Sequence, residues 1–457
     1  MNDSRRSLGY ALTDLVLTVA AWQAFSTVRF YVTHDTCGFS TLESFLNHPK
    51  AWLMGIGMPL FIVLANAFLG HYAAPRRKTH AVDFLQVLSG SFLCSLIIFF
   101  TVVINDYPAH YTQFYTVFSV LFAALFFFQL LGRRLLTGRL LRAHARGQAG
   151  VPALIIGRGR ESDKIREYLA HRNNGSPFLT RAVVAEDDLS DLAAVIREQG
   201  IESLIIASDD LSEEHLRVLA GQLYPFGLEI LSTTSTEGLA YSDMALFSLT
   251  GVPLRRITPK GLTRGEENIK RLADVLVSSL GLVVLSPLLL VLSLRLKLAA
   301  DGPVFYQQER LGKGGRPFQI YKFRTMRVDA ESQGPCLSSS EDERITKIGR
   351  TLRRYRLDEL PQLWNVLKGD MSLVGPRPER AFYAAQIVAR DAQYRLVDRV
   401  RPGITSLGMV RFGYADNVDK MVDRFHYDLI YLRNQSLLMD LKILVYTLKP
   451  LLTGKGV

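Results

Sequence analysis

Apolar residues fall in long, nearly unbroken runs early in the chain and in shorter, punctuated runs after residue 150. Leu8 to Val32, Trp52 to Leu69, Phe84 to Ile104 and Tyr111 to Leu131 are each close to the ~20 residues that cross a bilayer as a helix. Arg5 and Arg6 precede the first run, Arg76, Arg77 and Lys78 separate the second from the third, and Arg133, Arg134, Arg139, Arg142 and Arg146 follow the fourth. The connections Thr33 to Lys50 and Asn105 to His110 carry almost no positive charge. Basic residues stay on the cytoplasmic side, so both ends of this segment are expected there. The first run lacks a small-residue cleavage site and is followed by further spans, so it reads as a span and not a cleaved signal. A four-helix transmembrane bundle over 1–147 is the expectation.

The pattern changes at Val151. VPALIIG reads as a buried parallel strand, and GRGRESDKIREYL as a tight turn entering a helix. GIESLIIASDD repeats the unit from Gly200, and LEILSTT from Leu228 offers a third strand. Strands alternating with helices predict a small open α/β domain over 148–262. Gly157 and Gly159 fit the first two glycines of a dinucleotide turn, but Ser162 stands where the third belongs. The expectation is therefore a Rossmann-like module without a redox cofactor, serving oligomerisation or sensing.

A third segment, 263–457, returns to the membrane. Lys270, Arg271 and Asp274 precede an apolar run from Val275 to Leu294, with Arg295 and Lys297 after it and Ser286-Pro287 near its centre. Proline removes a backbone hydrogen bond and kinks a helix, and a serine hydroxyl can satisfy the freed carbonyl. Basic flanks at both ends favour a re-entrant helix hairpin over 270–298; the alternative, a kinked full span, would put a basic domain outside. Beyond it, DGPVFYQQERLGKGGRPFQIYKFRTM reads as a glycine-rich basic loop and a strand, Phe318 to Phe323, that delivers Lys322 and Arg324. Asp329 to Glu343 is polar and predicts a mobile loop. ERITKIGRTLRRYR aligns Ile345, Ile348 and Leu352 on one helical face among arginines, the pattern of a helix at an anionic membrane surface. Leu437 to Leu452 predicts a further apolar helix, lying on the membrane or closing the core.

Charge sharpens this picture. A formal net charge of +11, with 48% hydrophobic residues, points to an anionic partner: nucleic acid, lipid headgroups or phosphorylated substrates. Cys37, Cys94 and Cys336 lie too far apart in sequence for a CxxC site, so neither a zinc site nor a disulfide framework is supported. Arg353 to Pro378 reads RRYRLDELPQLWNVLKGDMSLVGPRP. Pro361 suits a first helical turn and Gly369 a C-terminal stop, so Pro361 to Lys368 predicts a short helix with Asp358 and Glu359 at its entrance. Such a pair is ordinarily a helix cap. A helix N-terminus also favours the ionised form, which nucleophilic attack on phosphorus or magnesium ligation requires. Arginines in turn-like or strand contexts (Arg310, Arg324, Arg377, Arg401), together with Lys322, match phosphate oxygens. His426 is the single histidine after Gly265, and GxSxG and HExxH are absent, so histidine-driven or zinc hydrolysis is poorly supported. Phosphoryl transfer by positioning and electrostatics remains.

These motifs, in order, carry a resemblance. KRxxD before an apolar run with a central Ser-Pro, then QxRxG, KFRTM, LDELPQLWNVLKGDMSLVGPRP and RPGIT, resembles the large polyprenol-phosphate phosphoglycosyl transferases, bacterial sugar transferases that start exopolysaccharide, capsule or O-antigen units. The resemblance is dense from Lys270 to Thr405 and architectural before that. It implies a membrane protein of mixed α and α/β type: a four-helix transmembrane bundle, a Rossmann-like cytoplasmic module, and a mostly helical catalytic domain with a re-entrant hairpin, in a bacterial inner membrane with catalysis on the cytoplasmic face. It implies that Asp358 attacks the β-phosphorus of a UDP-sugar, that Glu359 binds Mg2+, and that polyprenyl phosphate then accepts the sugar phosphate while UMP leaves. Lys322, Arg324, Arg377, Arg310 and Arg401 would contact phosphates; Ser286 and Pro287 would break the hairpin, with Lys270, Arg271 and Asp274 anchoring it. A lipid bilayer is implied as a partner and nucleic acid is not; oligomeric state stays open, with the four-helix anchor and the soluble module both offering surfaces for a homodimer. A glycosyltransferase releasing UDP, or a membrane-tethered nucleotide-sensing scaffold, are the alternatives. Two departures stand out: Tyr355-Arg356 replaces the usual Thr-Ser before the acid pair, and SLGMVRFGYADN replaces GxxQVxGR after RPGIT, a region that bears on the sugar.

Overall fold

The computed structural model describes residues 3–105, 110–170, 177–209, 212–233, 244–245, 254–299, 302–330, 334, 336–337 and 342–453. It divides into two compact units, Met1–Ser203 with Ala245–Pro253 and Thr263–Asn268, and Leu204–Met244 with Leu254–Leu262 and Ile269–Val457.

In the first unit the long apolar runs are helices: α1 (Asp3–Thr33), the short α2 (Leu42–Leu46), α3 (Pro49–Phe68), α4 (His80–Thr101) and α5 (Thr112–Ala145). Trp22 and Phe25 of α1, Ile62 of α3, Cys94 and Ile98 of α4, and Leu121 and Leu125 of α5 share one apolar core. The charged side chains buried in this unit are paired. Arg133 donates to both oxygens of Asp14, from Nε at 3.2 Å and Nη2 at 2.6 Å, and from Nη1 to the His71 carbonyl at 3.1 Å. Lys78 holds Asp83 at 3.1 Å, and Tyr72 donates to Asp14 at 2.9 Å. A charge in an apolar bundle is costly unless paired, and here α1, α4 and α5 each contribute a member. The α/β segment starts with β1 (Val151–Ile156), α6 (Arg160–Ala170), β2 (Phe178–Val184) and α7 (Leu192–Gln199), β1 and β2 pairing in parallel as the buried apolar run predicts.

The second unit takes up β3 (Ser203–Ile206) with α8 (Glu213–Leu223), β4 (Glu229–Ser232), β5 (Met244–Ala245) and β6 (Leu254–Arg256), of which β4 and β6 are antiparallel. Gly200 to Asp209 and Leu228 to Thr233 thus contain the expected strands; the tail of the third, from 234, lies outside the described residues.

α9 (Arg264–Ala299) is one continuous helix. Ser286 and Pro287, where the sequence predicts the hairpin break, stand inside this helix, which runs on across them. The reason is local. Pro287 has no N–H for the Val283 carbonyl four residues back, and Ser286 Oγ donates to that carbonyl at 2.8 Å. Only 6% of its most apolar window is buried. α1, α3, α4, α5 and α9 are the described helices long and apolar enough to cross a membrane.

The rest of this unit is a helical domain with short strands. β7 (Phe305–Leu311) and β8 (Pro317–Phe323) form an antiparallel hairpin turned at Gly314 and Gly315, both at positive φ. α10 (Lys347–Arg354) follows, then a 3-10 turn (Leu357–Glu359), α11 (Gln362–Lys368), β9 (Ser372–Val374), α12 (Ala381–Arg390), β10 (Gly403–Thr405), α13 (Leu407–Arg411), α14 (Val418–Arg433) and α15 (Leu437–Thr453). The apolar face of α10 does not wait for lipid: Leu352 and Ile348 pack with Phe323 and Leu296. Gly349 permits this, since a Cβ there would lie 2.1 Å from the Thr325 carbonyl oxygen. α15 buries Ile443 and leaves Leu438, Leu441 and Tyr446 exposed.

Candidate active site

The acid pair sits on a strained turn. Arg356, just before it, takes a left-handed backbone (φ 52°, ψ 26°) that costs a non-glycine residue of order 1 kcal/mol or more. This reverses the chain so that Leu357–Glu359 forms its 3-10 turn and α11 starts from Pro361. Gly369 ends α11 at φ 94°, as its sequence position predicts. Asn365 of α11 is fully buried and reaches across to β8, accepting from the Tyr321 amide at 3.0 Å and donating to the Gln319 carbonyl at 2.7 Å. This staple sets Lys322, the next residue of β8, against Glu359.

Glu359 is surrounded by cations. Lys322 Nζ lies 3.1 Å from Oε1, Arg377 Nη2 3.6 Å from the same oxygen, and Arg356 Nη1 3.6 Å from Oε2. Burial pushes its carboxyl upward, but Lys322, Arg377 and Arg356 override that and hold it well below the usual carboxylate range. Asp358, 8% exposed, goes the other way: burial first, then the Glu359 charge, raise it above its ordinary value despite Lys322 and Arg353. The expectation that both carboxylates are favoured in the ionised form holds for Glu359 and is corrected for Asp358, because at this depth lost hydration and a like-charged neighbour outweigh a short helix terminus.

Both face a cavity of about 310 Å³. Lys322, Arg324, Arg377 and Arg310 line it, together with Arg353, Arg356, Arg380, Arg424 and Glu379. Cations outnumber carboxylates on this wall, which suits a polyanion. Arg310 is already engaged: it donates from Nη1 to the Pro378 carbonyl at 3.1 Å and Glu379 at 3.2 Å, and from Nη2 to Gln308 at 2.6 Å. Glu379 takes Arg424 on its other oxygen at 2.5 Å, so it clamps β7 and α14 to the turn carrying Arg377. Arg377 itself donates from Nη1 to the Met409 sulfur at 3.0 Å, a weak acceptor.

Other expected site residues stand elsewhere. Arg401 is not on the cavity wall; its Nε donates to the Gly369 carbonyl at 3.0 Å, at the C-terminal end of α11. Arg271 does the same for the Val366 and Leu367 carbonyls at 2.5 and 2.8 Å. Lys270 binds the Val374 carbonyl at 2.9 Å and Asp440 at 2.5 Å, and Asp274 accepts from the Leu373 amide at 3.0 Å. These three anchor α9 to the backbone around α11 and β9, not to the cavity. Met409 lies in the SLGMVRFGYADN segment expected to bear on the sugar, whereas Glu379, Arg424 and Asn365 are not among the expected site residues. Of these three, only Glu379 carried a signal, directly after Gly-Pro-Arg-Pro.

The comparisons now bear on this geometry. A family model described as bacterial sugar transferase matches residues 265–454, which contain the whole cavity wall. A UDP-glucose:undecaprenyl-phosphate glucose-1-phosphate transferase of Caulobacter vibrioides is 42% identical over 186 residues, 40% of this chain and 70% of that protein. The chain belongs to the bacterial sugar transferase family. Other members similar to it are a UDP-N-acetylgalactosamine-undecaprenyl-phosphate N-acetylgalactosaminephosphotransferase of Aeromonas hydrophila, 42% identical over 276 residues, 59% of this chain and 62% of that one. A UDP-glucose:undecaprenyl-phosphate glucose-1-phosphate transferase of Klebsiella pneumoniae is 35% identical over 261 residues, 57% of this chain and 56% of that one. The match to these two sugar transferases spans little more than half their length. The chain is a membrane protein by its apolar helices.

Proposed function

We propose that this sugar transferase moves a sugar 1-phosphate from a UDP-sugar to undecaprenyl phosphate. The observation that carries the reading is the split acid pair: two adjacent carboxylates in one cationic cavity, one held ionised by Lys322, Arg377 and Arg356, the other pushed toward its protonated form. Such divergence marks divided roles. Asp358, once deprotonated, attacks the β-phosphorus of the donor; an Oδ–P bond forms, the P–O bond to the nucleoside monophosphate breaks, and UMP leaves with its oxygen. An oxygen of undecaprenyl phosphate then attacks the same phosphorus and displaces Asp358, giving a polyprenyl-diphosphate sugar. Lys322 and Arg377 meet the diphosphate, with Arg324 further along the wall.

Glu359, with Asp358 beside it, is the donor set for Mg2+. No group of three or more ligating side chains occurs among the described residues. Two carboxylates fit a magnesium ion that completes its shell with water and substrate phosphates, and bound there it would supply charge neutralisation for the donor's diphosphate as UMP departs. The relatives are named for undecaprenyl phosphate as acceptor and for UDP-N-acetylgalactosamine or UDP-glucose as donor. The four N-terminal helices are read as a transmembrane bundle and α9 as re-entrant, bent at Pro287 with both ends cytoplasmic, which presents the cavity at the inner face of the cytoplasmic membrane. Basic residues flanking α9 at both ends support this topology.

The test is nucleotide release by the full chain in detergent or vesicles with undecaprenyl phosphate, Mg2+ and a panel of UDP-sugars. UMP is expected. UDP in its place would make the protein a glycosyltransferase, and no lipid-dependent nucleotide release would overturn the reading.

A further inference from the structure

One wall of the cavity differs in chemistry from the rest. It is built by Met409, Tyr414, Ala415, Met421 and Tyr383. Tyr383, Ala415 and Met421 belong to one apolar cluster, backed by Phe425 and Ile387. Met409 is fixed there because Ser406 caps α13 and accepts from the Met409 amide at 3.0 Å. Gly408 beside it is pressed onto α14, where a Cβ would lie 2.7 Å from the Arg424 carbonyl oxygen. This methionine therefore cannot withdraw easily from the cavity.

The patch is adjacent to the chemistry. Met409 sulfur touches Arg377 at 3.0 Å, and Arg377 reaches Glu359 at 3.6 Å. A group attached to the phosphorus that Asp358 attacks lies within reach of this wall. What the wall offers is apolar surface, guanidinium donors and the Tyr383 and Tyr414 side chains, while Glu359 is held by Lys322, Glu379 by Arg310 and Arg424, and Asp358 is the attacking group. A guanidinium donates and never accepts. An acylamino substituent suits such a surface, its methyl against methionine and tyrosine and its carbonyl oxygen taking the N–H that Arg377 now spends on a thioether. A sugar hydroxyl in the same place gains no apolar burial.

We infer that the donor is a UDP-2-acylaminohexose and that Met409 is a specificity-determining residue for its acyl group. This rests on the sugar-phosphate transfer reading above and deepens it.

The experiment compares UDP-N-acetylglucosamine and UDP-N-acetylgalactosamine with UDP-glucose and UDP-galactose, using the full chain, undecaprenyl phosphate and Mg2+, with kcat/KM read from UMP. The acetamido donors should exceed the hexose donors by about 10-fold or more, the discrimination a few apolar atoms can supply. M409Q, which gives a hydroxyl both a donor and an acceptor, should collapse that ratio to about 3-fold or less. M409L, apolar and similar in size, should keep it, which separates specificity from folding. Equal or better use of the hexose donors, or an unchanged ratio in M409Q, overturns this assignment alone. No UMP from any donor overturns the transfer reading and this assignment with it.

Discussion

Lys322 and Glu359 meet at 3.1 Å although 37 residues separate them, because Asn365 ties the backbone of β8 to α11. The pair is part-buried, 18% and 12% exposed at the side chains. Its effect is electrostatic: it keeps one carboxylate of the dyad charged inside a site where burial alone would neutralise it.

K322M removes the nearest cation and leaves burial to act on Glu359. Lys322 lowers both carboxyls, and the acidic limb belongs to the higher one, Asp358, so the pH below which activity is lost should move upward. Activity near neutrality should fall by about 100-fold or more, as expected when a positioned charge at a developing anion is removed. K322R, which restores charge, should bring the acidic limb back. UMP release across pH 4–9 measures both, and an unmoved acidic limb in K322M would show that Lys322 does not lower the Asp358 carboxyl.

Much of this was legible beforehand, and the reasons differ by element. The helices α1, α3, α4 and α5 declare themselves because a span must be apolar along its whole length, a signal that no tertiary context changes. β8 and α11 were readable from a short apolar run and from Pro361 and Gly369. What did not show were partners distant in sequence. Arg310 and Arg401 look alike as candidate phosphate ligands, yet one is clamped by Glu379 and the other caps α11. Glu379 meets Arg424 across 45 residues, and nothing local announces it. The apolar stripe of α10 resembled a lipid-facing one because a periodic pattern names a buried face without naming what buries it. Asp358 was misread for a related reason: its charge state depends on depth, which a sequence does not record.

Arg133 gives a prediction for the first unit. Its guanidinium and the Asp14 carboxylate are both fully buried, so R133A leaves Asp14 with Tyr72 as its remaining named partner. Breaking a buried pair from one side costs about 3–5 kcal/mol. Thermal unfolding of the purified protein in detergent should show a clear loss of stability for R133A and a smaller one for the double variant D14N/R133M, which leaves no lone charge. Equal losses in the two variants would mean that pairing is not what the site contributes.

Ser286 and Pro287 act as a unit on one carbonyl. P287A restores the N–H that Val283 lacks and relieves a helix of a residue unfavourable by about 3 kcal/mol, so α9 should straighten. Cysteine-accessibility labelling should then find one flank of α9 moved to the opposite side of the membrane, with UMP release lost. S286A instead strands the Val283 carbonyl and should lower stability by about 1 kcal/mol while leaving the flanks where they are. Unchanged labelling and full activity in P287A would remove the proline from any topological role.

Asp358 carries the most direct test. Its carboxyl is raised above its ordinary value because it is buried beside the Glu359 charge, so the acid limb of the first half-reaction should fall above the ~3.9 of a free aspartate. Trapping with a UDP-sugar labelled in the sugar, without lipid acceptor, should give a protein-bound phosphosugar whose yield falls as pH drops through that limb. The sign follows from the chemistry: the protonated acid cannot donate the electron pair to phosphorus. D358N keeps the shape, removes the nucleophile and should abolish the adduct, while E359Q should retain a trace of it because the attacking oxygen is intact. Adduct persisting in D358N would assign the attack to another group, and Glu359, already charged and next in line, would be the first to examine.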